Sequence, residues 1–277
     1  MVTCAVLGDP VAHSLSPVLH RAAYEELGLD WSYDAVQVPA GGLAAFLDGL
    51  DATWRGLSLT MPLKREAVPL LTSADEWVRL TGAANTIVLG DDGSRHGLNT
   101  DVPGARAAVE QAGVGSVARA VVLGAGATAV SVVFALAELG LEQVTLLARD
   151  PARAGESVRV LAQHLRGTSY DVLPLTEAAQ HVDAADLAVS TLPASAQVPE
   201  LVAALAEVPA VFDVVYDPWP TPLAASVEAS GRTLVTGLDL LLAQARDQVR
   251  AMTEASDVPV EAMRKAAEKE LEARGAR

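Results

Sequence analysis

The sequence predicts an α/β fold of two domains, one of them built on a doubly wound parallel sheet. Three observations support this prediction. The chain has 277 residues, a length that suggests two domains with ample core. Hydrophobic residues make up 51% and aromatic residues only 4%, which is typical of helices packed on a buried parallel sheet. Between residues 118 and 237, apolar strand-like runs alternate with helical stretches at the spacing of βαβ units.

The alternating region predicts a doubly wound, Rossmann-type domain over residues 103–237. Its helical stretches lie between apolar runs that are short enough to be buried strands. The predicted strands are Ala118–Leu123, Gln143–Ala148, Tyr170–Leu173, Leu187–Ser190, Val211–Val215 and Thr233–Val235.

The first of these strands runs into a glycine turn and a helix, which is where such folds bind the pyrophosphate of a dinucleotide. Gly124 permits the tight turn, Gly126 lets the backbone approach a phosphate, and Ala129 allows close helix–strand packing. Small residues also serve packing alone, but the strand–turn–helix context favours nucleotide binding, because the helix N-terminus offers free N–H groups. The predicted cofactor site here consists of Gly124, Ala125, Gly126, Ala127, Thr128 and Ala129.

The remaining residues predict a second α/β domain over residues 1–102 and 238–277. A helix is expected to start at Ser16-Pro17, with Ser16 as N-cap, and to end at Gly28. After Gly237 we expect two helices and no further strand, so these helices pack back on the first domain. The junctions near Thr100–Gly104 and Gly237 resemble a hinge. The predicted strands are Thr3–Leu7, Ser32–Val38, Gly56–Thr60, Ala84–Leu89 and Arg95–Leu98, the last two joined by a hairpin turn at Gly90–Gly93.

Composition narrows the class of partner. The net charge of −15 argues against nucleic acid and anionic membranes, so the expected partner is a small molecule. The single cysteine, Cys4, allows no disulfide framework and favours a reducing cytoplasm. We expect no signal peptide, and no apolar stretch reaches the ~20 residues of a membrane-spanning helix. The five histidines have no metal-ligand spacing, so no metal is expected.

Polar residues cluster at four places in the first domain where a predicted strand or helix ends. The hydroxyls of Ser14 and Ser16 suit a carboxylate at a helix mouth, although Ser16 also fits a plain N-cap. Lys64 follows a buried strand and is a candidate site residue. The alternative interpretation is that it is a solvated surface lysine. Asn85 also fits a turn that bonds its own backbone, and Asp101 also fits an N-cap. The four clusters are His13–Pro17, Ser58–Lys64, Gly82–Thr86 and Gly97–Asp101.

These clusters, taken in order with the glycine turn, resemble the shikimate dehydrogenase family over nearly the whole chain. Each motif alone is weak, but seven in the same order make accidental similarity improbable. The motifs are Ser14–Pro17, Thr60–Lys64, Ala84–Thr86, Asn99–Asp101, Gly124–Gly126, Val214–Pro218 with Thr221–Leu223, and Gly237–Gln244.

The resemblance implies reversible reduction of 3-dehydroshikimate to shikimate with NADPH, as in chorismate and aromatic amino-acid biosynthesis. It implies that Lys64 and Asp101 are the catalytic pair. A lysine suits this chemistry because hydride addition to a carbonyl carbon builds negative charge on the oxygen, which an ammonium stabilises and protonates. The resemblance further implies that Ser14 and Ser16 hold the substrate carboxylate, and that the remaining substrate contacts come from Thr60, Asn85, Tyr216 and Gln244.

Two positions depart from the family pattern. Ser58 stands where the family often has Asn, and a shorter donor can still bond a hydroxyl. After the second nucleotide-domain strand the family often reads Asn-Arg-Thr, whereas this chain reads Ala148–Asp150 with Arg153 following. The two arginines, Arg149 and Arg153, favour the 2′-phosphate of NADP. Asp150 could instead accept the ribose hydroxyls of NAD, or cap the next helix. Gly237 completes the implied cofactor site.

Alternatives remain at this point. One is an NAD-using quinate/shikimate dehydrogenase. Cofactor preference and turnover of quinate would distinguish it from the NADP-dependent shikimate dehydrogenase. A non-catalytic dinucleotide sensor of the same fold would be expected to lack Lys64 or Asp101, and both are present. A folate-type dehydrogenase shares the two-domain plan, but the Ser-x-Ser-Pro and Asn-Thr-Asp elements argue against it. The expected state is a monomer or homodimer.

Overall fold

A computed structural model describes residues 1–275, with the side chain of Arg153 outside the described part. The chain divides into two compact units. One, here the substrate unit, contains Met1–Thr100 and the residues from Leu241 onward. The other, here the nucleotide unit, spans Asp101–Leu240. The α/β fold class predicted from the sequence is confirmed.

The strands are β1 (Val2–Gly8), β2 (Trp31–Gln37), β3 (Trp54–Leu59), β4 (Ser73–Ala74), β5 (Thr86–Leu89), β6 (Arg95–Leu98), β7 (Arg119–Leu123), β8 (Gln143–Ala148), β9 (Ser169–Pro174), β10 (Leu187–Ser190), β11 (Ala210–Asp213) and β12 (Thr233–Thr236). The α-helices are α1 (Ser16–Glu26), α2 (Leu43–Asp48), α3 (Leu63–Glu66), α4 (Glu76–Thr81), α5 (Asp101–Gln111), α6 (Ala127–Ala137), α7 (Gly155–His164), α8 (Pro199–Leu205), α9 (Pro222–Ser230), α10 (Gly237–Thr253) and α11 (Val260–Gly275).

The sheet of the substrate unit is mixed, with the order β2-β1-β3-β5-β6-β4. β1 lies parallel to β2 and β3, whereas β5 is antiparallel to both β3 and β6. Successive residues of β1 face opposite sides of the sheet, and each side has its own core. Ala5 and Leu7 pack on the side that includes α2, and Cys4 and Val6 pack with Tyr24 of α1 on the other.

The sheet of the nucleotide unit is parallel throughout, with the order β12-β11-β10-β7-β8-β9. The chain builds outward from β7 in one direction and then returns to add β10 on its other side. That reversal between β7 and β10 is a topological switch point, where open α/β sheets bind ligands at the carboxyl ends of their strands. The glycine turn follows β7 and therefore lies at this point.

The two C-terminal helices belong with the substrate unit as predicted. α11 packs along α1, and Met263 and Ala267 are fully buried. α10 begins in the nucleotide unit and continues into the substrate unit from Leu241. The segment predicted as a hinge, Thr100–Gly104, is helical from Asp101 onward. Within residues 1–275, no helix is both long and apolar enough to cross a membrane.

Several local predictions are wrong, among them the bounds of two strands, because β5 begins at Thr86 rather than Ala84 and β3 spans Trp54–Leu59 rather than Gly56–Thr60. Ser16 is the first residue of α1 rather than its N-cap, because Leu15 occupies the cap position and offers no side-chain acceptor. The strand predicted to reach Val215 ends at Asp213, because the Val215 N–H bonds the Asp213 side chain at 3.3 Å. Four short elements, α2, α3, β4 and α4, were not predicted, since each is too short to show a period.

Candidate active site

The serine pair lies on the connection from β1 to α1. The Ser16 N–H donates to Ser14 Oγ at 3.2 Å, so Ser14 supplies the cap that Leu15 cannot. Ser16 is 4% exposed and Ser14 is half-buried. Arg274 of α11 donates to the His13 carbonyl at 2.7 Å and fixes the same loop from outside. The two hydroxyls are therefore held together at the start of an eleven-residue helix.

Thr60 and Lys64 follow β3. The Thr60 N–H bonds the Leu7 carbonyl at 2.9 Å, and the Lys64 carbonyl accepts the Ala84 N–H at 2.8 Å. A Cβ on Gly8 would overlap the Thr60 side chain, so glycine is needed where β1 ends beside Thr60. The backbone around Lys64 is thus anchored to the segment that precedes β5.

A second anchor holds α3. The Glu66 carboxylate accepts the N–H groups of Gly41 and Leu43 at 2.8 and 2.9 Å. Leu43 is the first residue of α2, so the carboxylate occupies the positive end of that helix. We call this pair of bonds the Glu66 clasp. It ties the lysine-bearing helix to the connection between β2 and α2.

Asn85 and Gln244 come together in the substrate unit. Asn85 is 1% exposed, and its Oδ1 accepts the Thr100 N–H at 2.9 Å. Its Nδ2 donates to Thr100 Oγ1 and to Gln244 Oε1, each at 2.9 Å. The amide therefore joins the start of β5 to α10 and to the residue that precedes Asp101. Asp101 itself is 4% exposed and begins α5.

Ser58, one of the departures from the family pattern, is 3% exposed and already bonded. Its hydroxyl accepts from Tyr33 Oη at 2.6 Å and donates to Gln248 Oε1 at 2.9 Å. Gln248, which sequence reasoning missed, also donates to Gln244 Oε1 at 3.1 Å. The available signal was its position four residues after Gln244, on the same face of the predicted helix.

The groups behind Gln248 are buried and neutral. His20 faces Gln248 at 3.3 Å and stacks on Tyr33. Burial lowers the pKa of His20 to about 3 and raises the pKa of Tyr33 and of Tyr24, because the charged forms lose their hydration.

The glycine turn of the nucleotide unit has two glycines of different character. Gly124 has φ +107°, and a Cβ there would overlap Thr191 Oγ1. Gly126 is the N-cap of α6 with φ −80°, and a Cβ there would meet nothing within 4 Å. Ser157 of α7 donates to the Ala125 carbonyl at 2.6 Å and supports the turn. Ala127, Thr128 and Ala129 form the first turn of α6, with Ala129 buried.

The charged residues predicted to read the adenine ribose follow β8. Arg149 is exposed. The Asp150 carboxylate accepts the Ala152 N–H at 3.1 Å and caps the 3₁₀ turn Pro151–Ala154. This confirms that Asp150 has a capping role. The side chain of Arg153 lies outside the described residues.

Tyr216 and Gly237 lie at the far side of the same sheet. Tyr216 is half-buried in the segment after β11. Gly237 begins α10 directly against the Val214 carbonyl, and a Cβ would overlap it. Thr236 and Asp239 cap one another, because each accepts the other's N–H at 3.1–3.2 Å. The start of α10 is therefore capped by the last residue of β12 and lies close against the residue that follows β11.

The fold and these residues define a class: two-unit α/β oxidoreductases that combine a mixed-sheet unit with a dinucleotide-type parallel sheet. Family models place the shikimate dehydrogenase substrate binding domain at residues 6–87 and shikimate/quinate 5-dehydrogenase at residues 106–207. The shikimate dehydrogenase (NADP(+)) of Rubrobacter xylanophilus is 37% identical over 94% of this chain and 93% of its own. The chain belongs to the shikimate dehydrogenase family.

Solved structures of shikimate dehydrogenases have the same fold as this chain. The shikimate dehydrogenase of Mycobacterium tuberculosis superposes with a TM-score of 0.86 at 37% identity, covering 97% of this chain and 100% of the other. The shikimate 5-dehydrogenase of Thermus thermophilus, in complex with NADP(H) and shikimate, gives a TM-score of 0.83 at 34% identity, covering 97% and 99%.

Proposed function

We propose that the protein catalyses the reversible NADPH-dependent reduction of 3-dehydroshikimate to shikimate, a step of chorismate and aromatic amino-acid biosynthesis. The observation that carries the proposal is the intact Lys64 and Asp101 pair in a chain that matches NADP-dependent shikimate dehydrogenases over nearly its whole length. A non-catalytic sensor would have no need of this pair.

Lys64 is the group proposed to act on the reacting oxygen. Its ammonium stabilises the charge that develops when the carbonyl is reduced, and it donates the proton that completes the alcohol. In the reverse direction the neutral amine takes the proton back. Asp101 orients the lysine and accepts a hydrogen bond from a neighbouring substrate hydroxyl. The anchors on the Lys64 carbonyl and on Glu66 support this role, because catalysis requires a fixed position.

The substrate carboxylate is proposed to bind Ser14 and Ser16. The protein carries a net charge of −15, so an anion needs local donors, and two adjacent hydroxyls at the mouth of α1 provide them. The ring hydroxyls and the carboxylate region are proposed to contact Thr60, Asn85, Tyr216 and Gln244.

The residues after β7 and β8 fit a dinucleotide. The open space around Gly126, at the N-terminus of the eleven-residue α6, leaves room for a pyrophosphate against free N–H groups. The proposed contacts there run from Gly124 to Ala129, and Gly237 is a further proposed cofactor contact. When bound, the nicotinamide supplies or accepts the hydride. Arg149 and Arg153 are proposed to bind the 2′-phosphate, and the capping role of Asp150 supports NADP over NAD.

Location and assembly follow as proposals. The single buried cysteine fits a reducing cytoplasm, and the acidic surface favours small molecules over nucleic acid as partners. A monomer or homodimer is proposed.

One assay tests the function. Purified protein is given shikimate or quinate, each with NADP⁺ or NAD⁺, and reduced nicotinamide is followed by absorbance. The proposal expects the highest kcat/KM for shikimate with NADP⁺. A higher kcat/KM for quinate with NAD⁺ would replace it with a catabolic quinate dehydrogenase. No turnover with any pair, together with tight nucleotide binding, would indicate a sensor.

A further inference from the structure

We propose that Gln248 is a positioning residue that fixes the Gln244 amide with its oxygen inward, so that Gln244 meets the substrate only as a hydrogen-bond donor. The inference rests on the proposed function, because it takes Gln244 to contact the substrate. Its consequence is specificity: this position selects a substrate oxygen with a free lone pair, such as a hydroxyl or carboxylate oxygen, over a donor group.

The contacts of Gln248 fix which way its own amide points. Its Oε1 accepts from Ser58 Oγ at 2.9 Å and faces His20 Nε2 at 3.3 Å. Its Nε2 donates to Thr86 Oγ1 at 3.0 Å and to Gln244 Oε1 at 3.1 Å. Gln248 is 1% exposed, so a flipped amide would leave buried donors facing donors without water to relieve them.

The residues behind Gln248 enforce this direction. Ser58 receives the Tyr33 hydroxyl proton at 2.6 Å, so the Ser58 proton points to Gln248 Oε1. The Nδ1 atom of His20 lies 3.4 Å from Tyr24 Oη, and its Nε2 atom lies 3.3 Å from Gln248 Oε1. The bonds from Tyr33 through Ser58 therefore fix Gln248 Oε1 as an acceptor, which leaves Gln248 Nε2 to face Gln244 Oε1.

A second bond ends on the same oxygen of Gln244. The Thr100 backbone N–H can only donate, and it fixes Asn85 Oδ1 at 2.9 Å. Asn85 Nδ2 is then directed at Gln244 Oε1 at 2.9 Å. Gln244 Oε1 thus accepts from two buried amides. Both contacts of Gln244 in the described part of the chain are made by Oε1, which leaves Nε2 as the group that can meet a ligand.

A double-mutant cycle in steady-state kinetics tests the proposal. Gln248→Met keeps the length of the side chain but removes its bonds, and we expect the KM for shikimate to rise about five- to tenfold, the scale of one net hydrogen bond. The KM for NADP⁺ is expected to stay unchanged. In the Gln244→Ala background, Gln248→Met should add less than about twofold. The same five- to tenfold rise in that background would overturn the proposal.

Two further variants separate positioning from loss of folding. Ser58→Ala removes one bond to Gln248 and should raise the KM for shikimate in the same direction by about two- to threefold. Thr253→Val is the matched control on α10, because among the described residues its hydroxyl bonds only the carbonyl of Val249 and the N–H of Ala255. An equal KM rise in Thr253→Val would mean that any loosening of α10 has this effect, and would overturn the proposal.

A readout without turnover keeps this inference distinct from the proposed function. In ligand-free protein, the Gln244 side-chain amide signal is assigned by NMR from its loss in Gln244→Ala. Gln248→Glu replaces the donor that faces Gln244 Oε1 with an acceptor, so the Gln244 amide signal should shift strongly. An unshifted signal overturns the positioning role even in an active enzyme. A strong shift in a protein that does not oxidise shikimate supports the positioning role while the proposed function fails.

Discussion

The candidate binding surfaces of the two units consist of different chemical groups. In the substrate unit, the surface consists of side chains brought from distant parts of the chain, and Ser58 bonds a residue 190 positions away. In the nucleotide unit, the turn after β7 consists of glycine, alanine and free backbone N–H groups within one short stretch. The first surface depends on side chains being present, and the second depends on their absence.

This difference follows from the chemistry of the two proposed ligands. A pyrophosphate is recognised by backbone donors and a helix end, which any small residue can supply. A polyhydroxylated ring is distinguished by the direction of individual donors and acceptors, which only fixed side chains can supply. Removal of a side chain should therefore weaken substrate binding in the substrate unit. Addition of a methyl group should weaken cofactor binding in the nucleotide unit.

The largest effect is expected from Lys64→Ala, which removes the proposed proton donor. We expect kcat to fall ~10²-fold or more, the usual scale for a positioned acid–base group, with a much smaller change in substrate KM. Steady-state kinetics with shikimate and NADP⁺ measure this. Lys265→Ala is the control, since that lysine lies on α11 in a surface pair with Glu261. Near-normal kcat in Lys64→Ala would remove the lysine from the mechanism.

The next effect is expected from the double change Ser14→Ala and Ser16→Ala. Hydrogen bonds to charged groups are worth ~1.5–3 kcal/mol each, so shikimate binding should weaken by a few kcal/mol. Calorimetry should show NADP binding almost unaffected. Ser32→Ala, a serine of β2 whose hydroxyl bonds the Val2 carbonyl, is the matched control. Unaltered shikimate affinity in the double variant would make the two hydroxyls purely structural.

Arg149→Ala is the exception that sharpens the comparison, because here the nucleotide unit relies on a side chain. Loss of a charge-assisted pair with the 2′-phosphate should raise the KM for NADP⁺ about tenfold or more and leave NAD⁺ use nearly unchanged. The exposed Arg159 of α7 offers a control substitution to Ala. The opposite pattern, with wild-type kcat/KM higher for NAD⁺ and Asp150→Ala most harmful with NAD⁺, would assign the cofactor differently.

The two glycines of the turn should respond differently to one added methyl group. Gly126→Ala should leave the free energy of unfolding within ~0.5 kcal/mol of wild type, yet raise the KM for NADP⁺ about tenfold, because the space serves the ligand. Gly124→Ala should cost ~1–3 kcal/mol of stability, owing to its φ and its contact with Thr191. Urea unfolding and kinetics measure both, with Gly167→Ala as a neutral control. Equal effects at both positions would contradict the distinction.

The smallest effect at neutral pH is expected from His20, whose burial matters only in acid. Its folded pKa of about 3 lies below the unfolded value of ~6.5. The unfolded state therefore binds a proton first as pH falls, and stability is lost between these two values. The groups against the ring are Tyr24, Tyr33 and Gln248, none of which is charged in this range.

Replacing His20 with Phe tests this dependence. From pH 7 to 4.5 the free energy of unfolding of wild type should fall by ~2–3 kcal/mol more than that of His20→Phe. Urea unfolding at several pH values gives the comparison, and His164→Phe, at an exposed histidine, is the control. Parallel curves for wild type and His20→Phe would show that the buried ring does not cause acid sensitivity.

The sequence predicts the nucleotide unit better than the substrate unit, for a physical reason. The strands Gln143–Ala148 and Leu187–Ser190 have the predicted bounds, because buried parallel strands are continuous apolar runs. The glycine turn is equally local. By contrast, the bond from Ser58 to Gln248 depends on how α10 packs on β3 and β5, which no local pattern encodes. The Ser-Pro pattern predicted Ser16 as the N-cap of α1. In the structure the Ser14 hydroxyl accepts the Ser16 N–H instead. The roles assigned to Lys64, Asp101 and the other site residues stay predictions.

The Glu66 clasp makes two backbone amides into remote reporters of the lysine. The N–H groups of Gly41 and Leu43 end on the carboxylate two residues after Lys64. Their rates of hydrogen–deuterium exchange therefore record how often the helix that carries the lysine leaves its place. A ligand that steadies Lys64 should slow exchange at residues 41 and 43, although neither residue belongs to the proposed site. The movement of a catalytic group could thus be followed without a substrate signal or an attached reporter group.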